Sequence, residues 1–308
     1  MTHRSTEPIT FATQSVAFLE SLETRRRGVK PGTLATWNSI IKKHVLPNIG
    51  SVQLATFENG ALKKFADKLD GLSPKSVRDV VAVVKAVVSS AIDENGNELF
   101  PRRWNHRFLD LPSATGSSTY MPDSGTIERI IRDSEPIYGT LFAVLAGTGL
   151  RIGEALSMRI GDDGQHTCFD APAGMIRVRT AMWRSCENDT PKTRAAVREV
   201  DVPADLCNML SEFASTRSGF LFSIEGTRPL PQTKPYTALK GFGVRGFHGF
   251  RRFRTTTLRA AKVPEDLIRA WLGHSVGSIT DRYSKLGSDL HVRREWIEKI
   301  GLGFELPR

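Results

Sequence analysis

The chain has little of what an extracellular or membrane protein needs. It carries only three cysteines, Cys168, Cys186 and Cys207, an odd number that argues against a disulfide framework. No run of about 18 apolar residues occurs, which excludes a conventional transmembrane helix. The N-terminal stretch "MTHRSTEPITF" has no apolar core of a secretory signal. These absences predict a cytoplasmic protein. Acidic residues are also in deficit, 33 against 43 Lys and Arg, for a formal net charge of +10. That excess favours a polyanionic partner, because Lys and Arg displace counterions from phosphates, although a basic balance also serves solubility.

Several chemistries lack their sequence signatures. No G-x-S-x-G nucleophile elbow is present. "GTG" at 147–149 lacks the remaining glycines of a dinucleotide fingerprint and follows a helical pattern rather than a strand. "HTC" at 166–168 has no third or fourth ligand at zinc-like spacing, so no metal site is expected. No internal repeat is found.

The 308 residues suggest about two domains. The first hundred read as helices. Phe11, Phe18, Leu19 and Leu22 share one face, and Leu34, Trp37, Ile41 and Val45 repeat that spacing, with Pro47 and Gly50 expected to stop the helix. Leu62, Phe65 and Leu69 mark a third segment. Ser73 as N-cap and Pro74 at the first helical position open a fourth, with Val77, Val80, Val81, Val84, Val87 and Val88 along one side. "LPSATGSSTY" (111–120) is a linker candidate. The expected division is a helical domain over 1–108, a linker over 109–122 and a second domain over 123–308.

In the second domain, Asp123 or Ser124 caps a helix carrying Ile127, Ile130 and Ile131. The apolar helix "PIYGTLFAVLAGTG" ends at glycines. "HTCFD", "MIRVRTAMW" and "AVREVDVP" read as strands, the last two flanking a polar loop as a hairpin. Helices resume at Ala204. The fold class is therefore mainly α with a small β-sheet.

Four separated stretches carry residues suited to a phosphodiester. "GTGLRIGEAL" holds Arg151, whose planar fork matches two phosphate oxygens, and Glu154. Taken alone, the two also read as a surface i, i+3 pair. "TPKTRAAVREV" places Lys192 in the hairpin turn, where an ammonium can reach a leaving oxygen or simply be solvated. "HGFRRFRTTTLRAA" puts His248 and Arg251 on one helical face, with Arg252, Arg254 and Arg259 adding charge. "LGHSVGSITDRYSKL" places His274 after Gly273 and Tyr283 nine positions on. Tyrosine is a poor nucleophile at its ordinary pKa of roughly 10, and a half-buried space-filling role is its common fate. Candidate DNA-facing residues are Arg102 and Arg103 before the linker, Arg252, and Lys42, Lys43 and Lys75 among the basic residues edging the N-terminal helices, which equally describe solvated helix faces.

Together these stretches resemble the tyrosine recombinases, or phage-type integrases, in the simple two-domain Xer-like form. That family orders its residues as Arg, Lys, His-x-x-Arg, His or Trp, then Tyr; here the order is Arg151, Lys192, His248-Gly-Phe-Arg251, His274, Tyr283. The likeness covers roughly residues 121–295. One departure is Gly249, where the common third box has an acidic residue. The resemblance implies an N-terminal core-binding (SAM-like) domain, an α+β catalytic domain, and no separate arm-binding domain. It implies that Tyr283 attacks the scissile phosphate to form a 3′-phosphotyrosine. Arg151, Arg251 and His274 would hold the phosphate, Lys192 would protonate the leaving 5′-oxygen, His248 would assist acid–base work, and Glu154 would orient its neighbours. Neither metal nor ATP is required. The implied partners are double-stranded DNA with inverted-repeat sites, three further copies assembled through a Holliday junction, and an accessory directionality factor. The C-terminal segment with Leu290, Trp296, Ile297 and Ile300 would dock on a neighbouring protomer in the assembled complex, the alternative being that it packs on its own domain. A catalytically silent DNA binder and a type IB topoisomerase are the competing readings.

Overall fold

The computed structural model describes residues 8–26, 28–113, 120–183, 186–188, 197–274 and 286–307. The chain separates into two compact units, 1–117 and 118–308.

The first unit is helical: α1 Phe11–Thr24, α2 Pro31–Ile40, α3 Leu46–Ile49, α4 Asn59–Asp67, α5 Pro74–Ser89 and the short α6 His106–Leu109. Thr10 caps α1 and Ser73 caps α5, each accepting a backbone N–H from the residue three positions on. Helix α5 is the centre of the core, with Val84 and Val87 fully buried. Phe11 packs edge-on to Phe57 at 4.7 Å, and Phe18 stacks on Trp37 at 5.3 Å. Pro47 does not stop the second helix as its chemistry predicts. A π-helical turn over Ile41–Val45 joins α2 to α3, and Pro47 enters as a first-turn residue of α3. The helical run continues without a break from Pro31 to Ile49, so Pro47 forgoes one backbone hydrogen bond within it.

The second unit contains α7 Ser124–Asp133, α8 Pro136–Thr148, α9 Ile152–Leu156, β1 Arg159–Ile160, β2 Cys168–Asp170, β3 Met175–Val178, β4 Ala181–Trp183, β5 Cys186–Asn188, β6 Arg198–Asp201, α10 Ala204–Ser215, α11 Thr233–Gly241, α12 His248–Ala260, α13 Glu265–Leu272 and α14 Leu290–Ile300. Asp123 is the cap of α7, accepting from Thr126 N at 2.8 Å. Helix α8 is apolar all round and is buried from Gly139 to Thr148, the placement such a helix requires. The sheet order is β1-β2-β3-β6, with β1 parallel to β2 and the other pairs antiparallel. The run "MIRVRTAMW" is two strands rather than one. β3 pairs with β6, whereas β4 pairs with β5 in a separate two-stranded ribbon. Among the described residues no helix is long and apolar enough to cross a membrane.

The C-terminal segment packs on its own unit. Trp296, Ile297 and Ile300 of α14 meet Leu258, Leu267, Trp271 and neighbours. Arg293 donates to the fully buried Asp201 at 2.7 and 3.1 Å and to Glu199 at 2.9 Å. Beyond α14, Arg254 donates to Gly301 O at 2.7 Å, and Phe304 lies 6.1 Å from Phe253. In the single chain, a buried carboxylate and two arginines hold the segment on its own unit.

Candidate active site

Site geometry starts at the end of α8. Thr148 Oγ1 donates to Val144 O and accepts from Leu150 N at 3.2 Å. Gly149 turns the chain with a left-handed φ of +71°, a conformation glycine adopts without steric penalty. Arg151 follows as the residue capping α9. Glu154 reaches back to accept Arg151 N at 2.9 Å and Arg151 Nη1 at 3.0 Å. Arg198, from the start of β6, forks onto the same carboxylate at 3.1 and 2.9 Å. Burial alone pushes the Glu154 carboxyl up, but Arg198 and Arg151 outweigh it and hold the group below its ordinary value. Glu154 is an ionised anchor, its oxygens saturated by four donors. Arg151 keeps 42% of its side chain exposed.

Arg251 is buried on α12. Its Nη1 donates to Gly149 O at 2.8 Å, two residues before Arg151, and its Nη2 donates to Leu272 O, two residues before His274. The same Nη2 lies 3.0 Å from His274 Nε2. A guanidinium has only donors, so Nε2 accepts and the His274 proton sits on Nδ1 in this arrangement. Burial, with Arg151 close by, pulls Arg251 down to about 10. It remains a cation at neutral pH. Gly273, at φ +66°, ends α13 and leaves His274 exposed.

His248 begins α12 and is exposed, one helical turn before Arg251. It lines an open cavity of about 810 Å³ together with Arg151, Ile152, Tyr236 and Phe247. Burial pushes both His248 and His274 below the ordinary imidazole value, and the neighbouring arginines push the same way. The structure therefore brings Arg151, Glu154, His248, Arg251 and His274 to the junction of α9, α12 and α13. Lys192 and Tyr283 lie outside the described residues.

Gly249 has a physical reason. A Cβ there would come within 2.9 Å of Pro122 Cδ, so an acidic side chain is excluded unless the chain before α7 moves. Arg252 stays exposed and donates to Tyr120 O at 2.9 Å. Arg254 adds no surface charge, contrary to its reading in the sequence. It is almost fully buried and pulled down to about 10 by burial. In the first unit, Arg102 directs its donors to the carbonyls of Leu54, Ala55 and Phe57 at 3.2, 2.7 and 3.1 Å, a role internal to the fold. Arg103, Lys42 and Lys43 are exposed, and Lys75 pairs with Asp79 at 2.6 Å. The residue that sequence reasoning missed is Arg198. Its only local signal is a cation opening a buried strand.

The sequence profile of the phage integrase family matches residues 126–288, more than half of the chain. The chain belongs to the phage integrase family. The profile of the family's N-terminal SAM-like domain matches residues 18–69. A tyrosine recombinase XerC-like protein of Caldanaerobacter subterraneus subsp. tengcongensis is 22% identical over 305 residues, covering 84% of this chain and 75% of that protein. The Tn1549 transposon integrase, solved in complex with a circular intermediate DNA, superposes with a TM-score of 0.71 at 17% identity, over 95% of this chain and all of that one. Lambda integrase, solved as a tetramer bound to a Holliday junction, gives a TM-score of 0.62 at 15% identity, over 88% and 80%. The fold is that of these integrases.

Proposed function

We propose that the protein is a site-specific recombinase that cuts and rejoins DNA through Tyr283. The observation that carries this reading is the convergence of Arg151, Arg251, His248 and His274 from three separate elements, with Arg151 held by an ionised carboxylate that Arg198 also grips. Such a cationic cluster suits a phosphodiester and the charge that develops on its non-bridging oxygens. Arg151 and Arg251 clamp those oxygens. His274 adds a hydrogen bond from Nδ1–H. The Tyr283 oxygen attacks phosphorus and becomes the 3′-phosphotyrosine, while the bond to the 5′-oxygen breaks and that oxygen takes its proton from Lys192. His248 accepts the phenolic proton. A 5′-hydroxyl from the second duplex then reverses the step and releases tyrosine, so the number of phosphodiesters is conserved and no external energy source is consumed.

The DNA partner carries inverted-repeat sites. Exposed Arg103, Lys42, Lys43 and Arg252 contribute to its backbone contacts, and four copies exchange strands through a Holliday junction, with an accessory factor setting direction. The reaction belongs to the cytoplasmic nucleoid. The test is covalent capture: the protein is incubated with fragmented DNA of its source, adducts surviving denaturation are isolated and their ends sequenced. Adducts at one recurrent inverted-repeat site, absent with Tyr283→Phe, are expected. DNA binding without any adduct would instead identify a silent binder, and supercoil relaxation without a second site a topoisomerase.

A further inference from the structure

We infer that Arg198 is a positioning residue that sets the spacing between the two halves of the phosphate clamp; the inference rests on the recombinase reading above. One half is Arg151, held through Glu154. The other is Arg251 with His274, held at the end of α13. Arg198 bonds to the support of each half. Its Nη1 and Nη2 grip Glu154 at 3.1 and 2.9 Å, and its Nε donates to Trp271 O at 2.7 Å, one residue before the Leu272 carbonyl that receives Arg251. Its side chain is 5% exposed, as is that of Glu154, so neither is placed to meet DNA directly. The strand that carries it is itself anchored to α13 and to α14. Three residues on, Asp201 accepts Trp271 Nε1 at 2.7 Å and Arg293 Nε at 2.7 Å. The β6 strand thus fixes α13 twice, through backbone and through indole, and fixes α9 once.

The geometry needs a guanidinium. Three donors in one plane serve two acceptors that lie on different elements, and an ammonium cannot fork onto a carboxylate while also reaching the Trp271 carbonyl. The loss is expected in the chemical step rather than in binding, because phosphate contacts made elsewhere dominate DNA affinity.

The experiment compares Arg198→Lys and Arg198→Met with the wild type, measuring DNA affinity, the rate of covalent adduct formation and the His274 ring resonances by NMR. Arg198→Met is expected to slow adduct formation by about 10²-fold, the order that a clamp misplaced by an ångström produces, while DNA affinity changes less than about threefold. In an Arg151→Lys background the same change should cost far less, since both act on one clamp. Arg198→Lys keeps the charge and loses the fork, so a shift of the His274 resonances in that variant reports position rather than electrostatics. Wild-type cleavage rates in both variants, losses that add fully with Arg151→Lys, or rate and affinity falling in parallel would overturn the inference. If the wild type itself forms no adduct, the recombinase reading falls. The Arg198→Lys spectra then decide this inference alone: an unmoved His274 refutes it, and a displaced one supports it.

Discussion

Glu154 is the most constrained residue of the site. Four donors converge on a carboxylate that water barely reaches. Removing its charge breaks a buried ion pair with Arg198, a change that typically costs about 3–5 kcal/mol. Glu154→Gln should therefore lower the thermal midpoint measurably in calorimetry, and an unchanged midpoint would show that the carboxylate is not the anchor described. The two histidines make a second case. Both are held below the ordinary imidazole value of about 6.5, first by burial and then by arginines. Folding thus favours the neutral rings. Their contribution to stability is complete above the unfolded pKa and is lost as pH falls from there through the lower folded pKa. NMR titration should find both midpoints below that of a free histidine, and inorganic phosphate should raise them by partly neutralising the arginines. Midpoints at or above the free value would contradict the cationic site. At position 249, Gly249→Asp must displace Pro122, an overpacking change that commonly costs about 1–3 kcal/mol. Thermal melting of this variant should show a clear loss.

At the scale of elements, the C-terminal segment is the most informative. Leu302 and Phe304 complete the core around α8 and α12, and Gly301 and Leu302 supply the carbonyls for buried Arg254. A chain ending at Ile300 should melt well below the full-length protein, because it both opens an apolar surface and leaves a buried guanidinium short of partners. An equal melting temperature would mean that the segment contributes nothing to the fold. Elements with local signals were legible from sequence. The caps Ser73 and Asp123, the glycine turns after α8 and α13, and the helical period of the valines in α5 are decided by neighbours within a few residues. What was not legible depends on distant partners. Pro47 is tolerated because a π-turn precedes it. The run from Met175 to Trp183 splits because β6 pairs with its first half only. Glu154 and Arg198 are 44 residues apart, and nothing near either residue specifies the other. Arg254 and Arg102 read as surface charge because their carbonyl partners, at 301–302 and 54–57, are invisible to local pattern.

For the whole molecule, two compact units, a chain of the phage integrase family and a strongly basic balance agree with the proposed action on a polyanion. The described residues bring Arg151, His248, Arg251 and His274 together, and the proposed attacking oxygen is that of Tyr283. The most direct measurement is mass spectrometry of the protein after incubation with its DNA, denaturation and nuclease trimming. The account predicts a residual nucleotide on the peptide bearing Tyr283 and on no other. A nucleotide on a different residue, or none from protein that demonstrably binds the DNA, would contradict it.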